Sequence, residues 1–144
     1  IVLSSVRDSI KNGENIAFES TLSGKTWAPV IRNAKTSGYR VTIYFLFLKN
    51  VKLNLKRIEK RVRMGGHSVP AEAVKRRYPR SFVNFWNLYR EYCDDWFVFD
   101  NSSAKPRLEL NKNGWDALSE QEQMLFKKHF LQRVNLRNGK TNTK

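Results

Sequence analysis

The chain has little cysteine, little histidine and no long hydrophobic run. Its single cysteine, Cys93, excludes an internal disulfide and is typical of a reducing compartment. Two histidines far apart in sequence and one thiol do not make a zinc site, so we expect no metal bound by these side chains. No apolar run approaches the ~18 residues of a membrane-spanning helix, and the first ten residues lack the pattern of a signal peptide. We therefore expect a cytoplasmic protein without membrane contact.

Familiar catalytic motifs are missing as well. The chain contains neither G-x-x-x-x-G-K-[ST] nor G-x-G-x-x-G, the two glycine-rich patterns that cradle phosphates. Gly24-Lys25-Thr26 has the ending of the first pattern, but Glu19 stands where its first glycine belongs. The G-x-S-x-G motif and the aromatic motif of RNA-binding sheets are also absent. No single motif therefore identifies a function.

Positive charge is what the chain has in excess. Its 144 residues carry 27 Lys and Arg against 13 Asp and Glu, a net charge of +14, and 40% apolar residues suffice for one packed core. The excess is concentrated in residues 52–80, with ten basic and two acidic residues, and in residues 127–144, with six basic and none acidic. Such blocks attract phosphate in nucleic acids, nucleotides or lipids, or they are solvated surface and a frayed end.

Hydrophobic spacing predicts alternating helices and strands. Val2, Val6 and Ile10 recur every four residues, which predicts a helix that ends near Gly13. The alternation predicts an α/β fold with a parallel sheet, whose polar strand ends would face a ligand crevice. The other predicted elements are a strand at 16–18, a helix at 26–37, a strand at 40–48, a helix at 53–64, a helix that opens at Pro70 and is interrupted at Pro79, a helix at 82–93, a strand at 96–99 and a helix capped by Ser119 and Glu122.

Several segments in this order are similar to the zeta-toxin family of P-loop kinases. The similarity covers roughly residues 1–110, and we predict that residues 111–144 form a basic helical tail with a flexible end. The segments are Phe18–Gly24, Gly38–Val41, Arg61–Arg63, Gly65–His67, Val69-Pro70, Arg76–Tyr78, Arg80-Ser81 and Phe99–Ser102.

The resemblance implies a P-loop-kinase-like fold, a parallel sheet between helices with an arginine-bearing lid. Better-known members resemble UDP-N-acetylglucosamine kinases, which use ATP and Mg²⁺ to phosphorylate the nucleotide sugar. It also implies an antitoxin protein as partner. These are expectations about a small-molecule kinase, its cofactors and its partner.

The resemblance further implies roles for eight residues. Glu19 and Thr21 match positions that hold the acceptor substrate, and a carboxylate and a hydroxyl suit sugar hydroxyls; alternatively, Glu19 only solvates a strand end. Arginine side chains suit a transferring phosphoryl group, whose charge spreads over its oxygens. The lid pair assigned to catalysis is Arg77 and Arg80, and the residues assigned to the nucleotide are Arg61, Arg63, Asp100 and Asn101. Asp100 and Asn101 could equally cap the following turn.

One part of the family pattern has no counterpart in these residues. By the resemblance, the phosphate-binding loop, its leading strand and the general base lie upstream of Ile1. That leading strand belongs in the middle of the sheet, so we expect the fold to be incomplete at its amino end and the chain alone to be inactive. The strands at 16–18 and 40–48 would then pair with other strands of the chain, with a second copy of it or with a partner chain.

Two other readings stay open. The chain could be a non-catalytic basic module that contacts nucleic acid or a partner protein through residues 52–80 and 127–144, although no nucleic-acid motif supports this. It could also be a regulatory fragment that pairs with a separate chain that carries the phosphate loop.

Overall fold

The computed structural model describes residues 2–135, and their side chains as far as residue 132. The predicted flexible end of the tail, from residue 136 onward, and the side chain of Val134 lie outside this description. The elements in chain order are α1 (Val2–Lys11), α2 (Trp27–Thr36), β1 (Thr42–Phe47), α3 (Val51–Arg63), α4 (Ala71–Asn84), a π-helical segment called the π-turn (Phe85–Tyr89), α5 (Arg90–Tyr92), β2 (Asp95–Asp100), β3 (Arg107–Asn111), α6 (Lys112–Asp116) and α7 (Glu120–Asn135).

Several helix ends follow directly from local chemistry. Gly13 and Gly38 adopt positive φ angles of 72° and 85° just beyond α1 and α2, a conformation that glycine adopts without a steric penalty. Ser119 and Glu122 form the expected capping box, with Ser119 Oγ 2.7 Å from Glu122 Oε2 and Glu122 N 3.4 Å from Ser119 Oγ. These helix boundaries agree with the sequence prediction.

The described residues form one three-stranded sheet in the order β1-β2-β3. β1 and β2 are parallel, and β2 and β3 are antiparallel with a register shift at Val98 and Phe99. The expectation of an α/β fold is confirmed, but the sheet is mixed rather than parallel. The antiparallel strand β3 was missed because its five residues are too short for their alternation to stand out.

The strand predicted at 16–18 is wrong. Residues 14–23 belong to no helix or strand, and none of them makes a backbone hydrogen bond to β1. An apolar run becomes a strand only when a neighbour supplies hydrogen-bonding partners, which the described residues do not offer here. β1 is consequently an edge strand of this sheet.

Pro79 does not interrupt α4 as predicted. The helix continues from Ala71 through Pro79 to Asn84 and passes straight into the π-turn. Val74 and Phe82, on either side of the proline, are buried in the core. Their packing holds the backbone helical although the proline removes one hydrogen bond.

An aromatic core lies on one face of the sheet. Phe45 and Phe47 of β1 point into it, and the ring of Phe45 stacks on Phe85 with centroids 4.4 Å apart. Phe130 of α7 joins the same cluster, so residues beyond 110 contribute to the core. The opposite face of β1 carries Tyr44 and Leu46, which are 63% and 50% exposed. A parallel pair with one open face is unusual, because parallel sheets are normally covered on both sides.

Candidate functional site

A groove of about 1020 Å³ runs along the edge of the sheet, and we call it the β1 groove. Its lining includes residues 16–22 on one side and β1 on the other, together with side chains of α1 and α2. Its far end, beyond the carboxyl end of β1, is closed by side chains of α3 and α4. Ligands of open α/β sheets bind at this end of the strands, so the groove is the candidate site.

Five of the eight residues assigned from the sequence line the β1 groove. They come from four parts of the chain that lie far apart in sequence. They are Glu19, Thr21, Arg61, Arg77 and Asn101. The fold thus brings Glu19 and Thr21, which were predicted to hold the acceptor, to one surface with Arg61 and Arg77.

The other three residues do not line the groove. Arg63 is exposed at the end of α3, and Arg80 is exposed on α4. The carboxylate of Asp100 accepts a hydrogen bond from the backbone amide of Ser102 at 2.8 Å, which is the turn-capping alternative. Arg80 follows Arg77 by three residues on α4 and lies outside the groove lining, whereas Arg77 is part of it.

Arg57 is a groove residue that the sequence analysis missed. It lines the β1 groove, and its guanidinium donates to the carbonyl of Ser103 at 3.4 Å. Arg57 and Arg61 are four residues apart on α3 and therefore share one helix face. That spacing was the signal that could have identified it.

Arg61 is held by the connection that follows its own helix. Its guanidinium donates to the carbonyl of His67 at 2.9 Å. A Cβ atom on Gly66 would lie 2.5 Å from Arg61 Cγ, so only glycine allows the chain to pass this close. The Gly65-Gly66 pair therefore ends α3 and seats Arg61 at the groove.

The groove is strongly electropositive. It is lined by Arg40, Arg57, Arg61 and Arg77 and by one carboxylate, Glu19. Arg40 pairs with Asp95 at 2.6 Å, and this pairing raises the pKa of the guanidinium. Among the residues whose side chains are described, Arg57, Arg61 and Arg77 have no ion pair. Three unpaired guanidinium groups at one end of a groove suit a phosphate-bearing ligand.

Asn101 is fixed by the ladder between β1 and β2. Its backbone amide donates to the carbonyl of Phe47 at 2.8 Å, and Ser102 Oγ accepts from the amide of Lys49 at 2.7 Å. On the α4 side, the hydroxyl of Tyr78 donates to the carbonyl of Leu48 at 2.6 Å. These contacts tie the end of β1 to the residues that follow β2 and to α4.

The segment that carries Glu19 and Thr21 is held at its far end by side chains. Asn84 Nδ2 donates to the carbonyl of Leu22 at 2.9 Å, and the Tyr89 hydroxyl donates to the carbonyl of Gly24 at 2.6 Å. Within the segment, the hydroxyls of Thr21 and Ser23 lie 2.8 Å apart. Leu22 itself has a φ angle of 52°, which a non-glycine residue seldom adopts.

The donor set fits phosphate better than it fits a metal ion. Arginines at the closed end of the groove suit the oxygens of a nucleotide, whereas the described residues contain no cluster of three or more His, Cys, Asp or Glu that could hold a cation. They also contain no glycine-rich phosphate loop. In the same part of the chain, no helix is long and apolar enough to cross a membrane.

Comparison with known protein families now identifies the chain. The profile of the zeta-toxin family matches residues 2–105, which is most of the chain and contains all of the groove residues named above. The chain belongs to the zeta-toxin family. Family membership is in accord with the α/β fold and supports a kinase-like function.

Similarity to a curated protein covers about half of the chain. The chain is 37% identical over 70 residues to an uncharacterized protein of Haemophilus influenzae, an alignment that covers 49% of this chain and 50% of the relative. The chain thus spans about half the length of the curated relative that it matches. No solved structure matches the chain.

Proposed function

We propose that this zeta-toxin-family chain carries the acceptor-binding segment and the arginine lid of an ATP-dependent small-molecule kinase. The observation that carries the proposal is that one groove gathers Glu19 and Thr21 on one wall and Arg61 and Arg77 at its end. The proposed acceptor is a nucleotide sugar such as UDP-N-acetylglucosamine. The lone thiol, which suits reducing conditions, supports a cytoplasmic site of action.

Each groove residue has a role that its chemistry allows. The Glu19 carboxylate accepts hydrogen bonds from sugar hydroxyls, and Thr21 donates or accepts one. Arg77, Arg61 and Arg57 bind phosphate oxygens, where fixed positive charge stabilises the phosphoryl group as it transfers. ATP with Mg²⁺ would supply the transferred phosphoryl group. Arg63, Arg80 and Asp100 lie away from the groove, so we give them no direct contact.

The edge of β1 that borders the groove has no neighbouring strand among the described residues. Unpaired backbone groups at such an edge are a template for a further strand. The groove lies between this edge and residues 16–22, which make no backbone hydrogen bond to β1. We infer that an added strand pairs with both walls and brings the phosphate loop beside the arginines. It would come from a longer form of this polypeptide or from a partner chain.

Binding measurements on the chain test the groove assignment. By isothermal titration calorimetry, we expect Glu19→Gln to weaken binding of UDP-N-acetylglucosamine, and Arg77→Gln to weaken binding of ATP, each about 10-fold, the value of one charged hydrogen bond. Arg76→Gln is the matched control, because Arg76 is exposed on the same helix and does not line the groove.

Two results would contradict the assignment. One is that the unmodified chain shows no saturable binding of either nucleotide. The other is that Arg76→Gln weakens ATP binding as much as Arg77→Gln, which would mean that only net charge attracts the ligand. A toxin role would additionally require an antitoxin partner, and co-purification from the source cell would identify it.

A second candidate function rests on the outer face of α3. Lys52, Lys56 and Lys60 recur every four residues, and all three are exposed. Such a row suits a polyanion, so a basic module that binds nucleic acid is the alternative. Binding that persists above ~200 mM salt and selects one sequence would favour this alternative, because non-specific phosphate contacts are lost as counterions compete.

A further inference from the structure

The π-turn is a rare backbone feature within the described part of the chain. It interrupts an otherwise continuous helical run from Ala71 to Tyr92. π-Helical turns are rare and occur frequently at functional sites, because they change which side chains share a helix face. We call residues 19–24, which include Glu19 and Thr21, the acceptor segment. The two residues that donate hydrogen bonds to it, Asn84 and Tyr89, lie at the two ends of the π-turn.

The geometry of the turn accounts for this pairing. In an α-helix, residues five apart point about 140° away from each other, since each residue advances the helix by ~100°. In a π-helix the backbone bond joins residues five apart, so they lie nearly one above the other. Asn84 and Tyr89 are five apart, and their donors reach carbonyls only two residues apart, those of Leu22 and Gly24.

Besides the apolar packing of Leu22, these two donors hold the backbone of residues 20–24 from outside. Among the described residues, no backbone-to-backbone hydrogen bond involves Ser20 through Gly24. Its internal bonds come from hydroxyls, such as Ser20 Oγ, which accepts from the amide of Leu22 at 3.2 Å. The positive φ of Leu22 is intrinsically disfavoured, so an outside contact must hold it.

We call the two hydrogen bonds from Asn84 and Tyr89 to the acceptor segment the tether. Its Tyr89 end lies in the core. Tyr89 is fully buried, and burial raises the pKa of its hydroxyl. Its ring packs with Ala28 and Ile31 of α2. Leu22 is also packed against this cluster. The contact thus links the acceptor segment to both α2 and the π-turn.

We propose that the π-turn is a positioning device, in which Asn84 and Tyr89 are positioning residues that set where Glu19 and Thr21 stand in the β1 groove. The proposal rests on the proposed function, because the positioned segment is the acceptor-binding one. Neither residue lines the groove itself, so they act through the backbone of Leu22 and Gly24.

Two conservative variants and one control test the tether. Tyr89→Phe removes only the donating hydroxyl, and Asn84→Ala removes the amide. Asn87→Ala is the control, because Asn87 is exposed in the same π-turn and, unlike Asn84 and Tyr89, makes no hydrogen bond to residues 20–24. For each variant we would record the amide resonances of residues 20–24 by ¹⁵N NMR and the dissociation constant of UDP-N-acetylglucosamine.

The expected result has two parts. The resonances of residues 20–24 shift or broaden in Asn84→Ala and Tyr89→Phe and stay in place in Asn87→Ala. The dissociation constant for UDP-N-acetylglucosamine rises about 5-fold or more in the first two variants, while that for ATP changes less than about 2-fold. A merely structural loss would weaken both ligands together.

The outcomes separate this proposal from the proposed function. Unmoved resonances in both variants would overturn the tether. A second outcome would overturn the positioning role. In it, the resonances move in Asn84→Ala and Tyr89→Phe but the affinity for UDP-N-acetylglucosamine does not change, although Glu19→Gln does weaken that affinity. If the unmodified chain binds no nucleotide sugar while the resonances move, the proposed function fails and the tether is supported.

Discussion

Replacement of Phe130 by alanine tests whether the segment beyond the family match is part of the fold. Phe130 lies on α7 and is 1% exposed. Its ring centroid is 5.0 Å from that of Trp86, 5.2 Å from Phe82 and 5.9 Å from Phe126. The substitution removes a ring enclosed on several sides by other rings, and such a change costs about 3–5 kcal/mol in unfolding free energy. A domain of this size has only ~5–15 kcal/mol in total.

Circular dichroism records both quantities: a urea titration gives the free energy of unfolding, and a thermal scan gives the melting temperature. We expect the free energy of unfolding to fall by about 4 kcal/mol and the melting temperature by roughly 12 °C, at ~3 °C per kcal/mol for this length. Leu125→Ala on the same helix is the control, because Leu125 is 54% exposed and should cost under ~1 kcal/mol. Equal effects of the two variants would refute the reasoning, since they would mean that α7 does not pack on the aromatic core.

Three further predictions concern other parts of the chain. The pKa of Asp94 is lowered mainly by the hydrogen bond from Lys35 and, to a smaller extent, by the hydrogen bond from the Val41 amide at 2.8 Å. The ionised Asp94 therefore stabilises the fold at neutral pH, and this stabilisation is lost as the pH falls below about 4. Asp94→Asn should therefore cost about 1 kcal/mol at pH 7 and progressively less under acid, as measured by urea titration at several pH values. Burial raises the pKa of Cys93 to about 11, so at pH 8 the folded chain should react with a disulfide reagent at least ~100-fold more slowly than the urea-unfolded chain; equal rates would contradict the burial. If the added strand proposed beside β1 belongs to the same polypeptide, the protein from its source cell should have an intact mass well above 16.9 kDa. A mass of 16.9 kDa would mean that a partner chain must supply this strand.

Local sequence patterns predicted most helices and two strands. The apolar spacing of Val2, Val6 and Ile10, the glycines beyond α1 and α2, and the Ser119–Glu122 capping box are short-range signals, and the structure bears each of them out. Strands β1 and β2 were recognised from their dense apolar and aromatic residues. The helix boundaries depend on neighbours within a few residues, which is why the sequence sufficed for them.

Other elements depended on distant neighbours. Ile16–Phe18 has the composition of a strand but finds no hydrogen-bonding partner among the described residues. Pro79 would end an isolated helix, yet the burial of Val74 and Phe82 carries α4 through it. The antiparallel strand β3 exists because β2 offers its second edge.

For the candidate site, the sequence supplied the residue types and the family resemblance, and the tertiary structure decided which residues meet. Arg77 lines the groove and Arg80 does not, although both stand in one predicted lid. Arg57 joins them only because α3 lies with that face toward β1. Side-chain direction along a helix follows from its packing against the rest of the fold, and a motif read along the chain contains no such information.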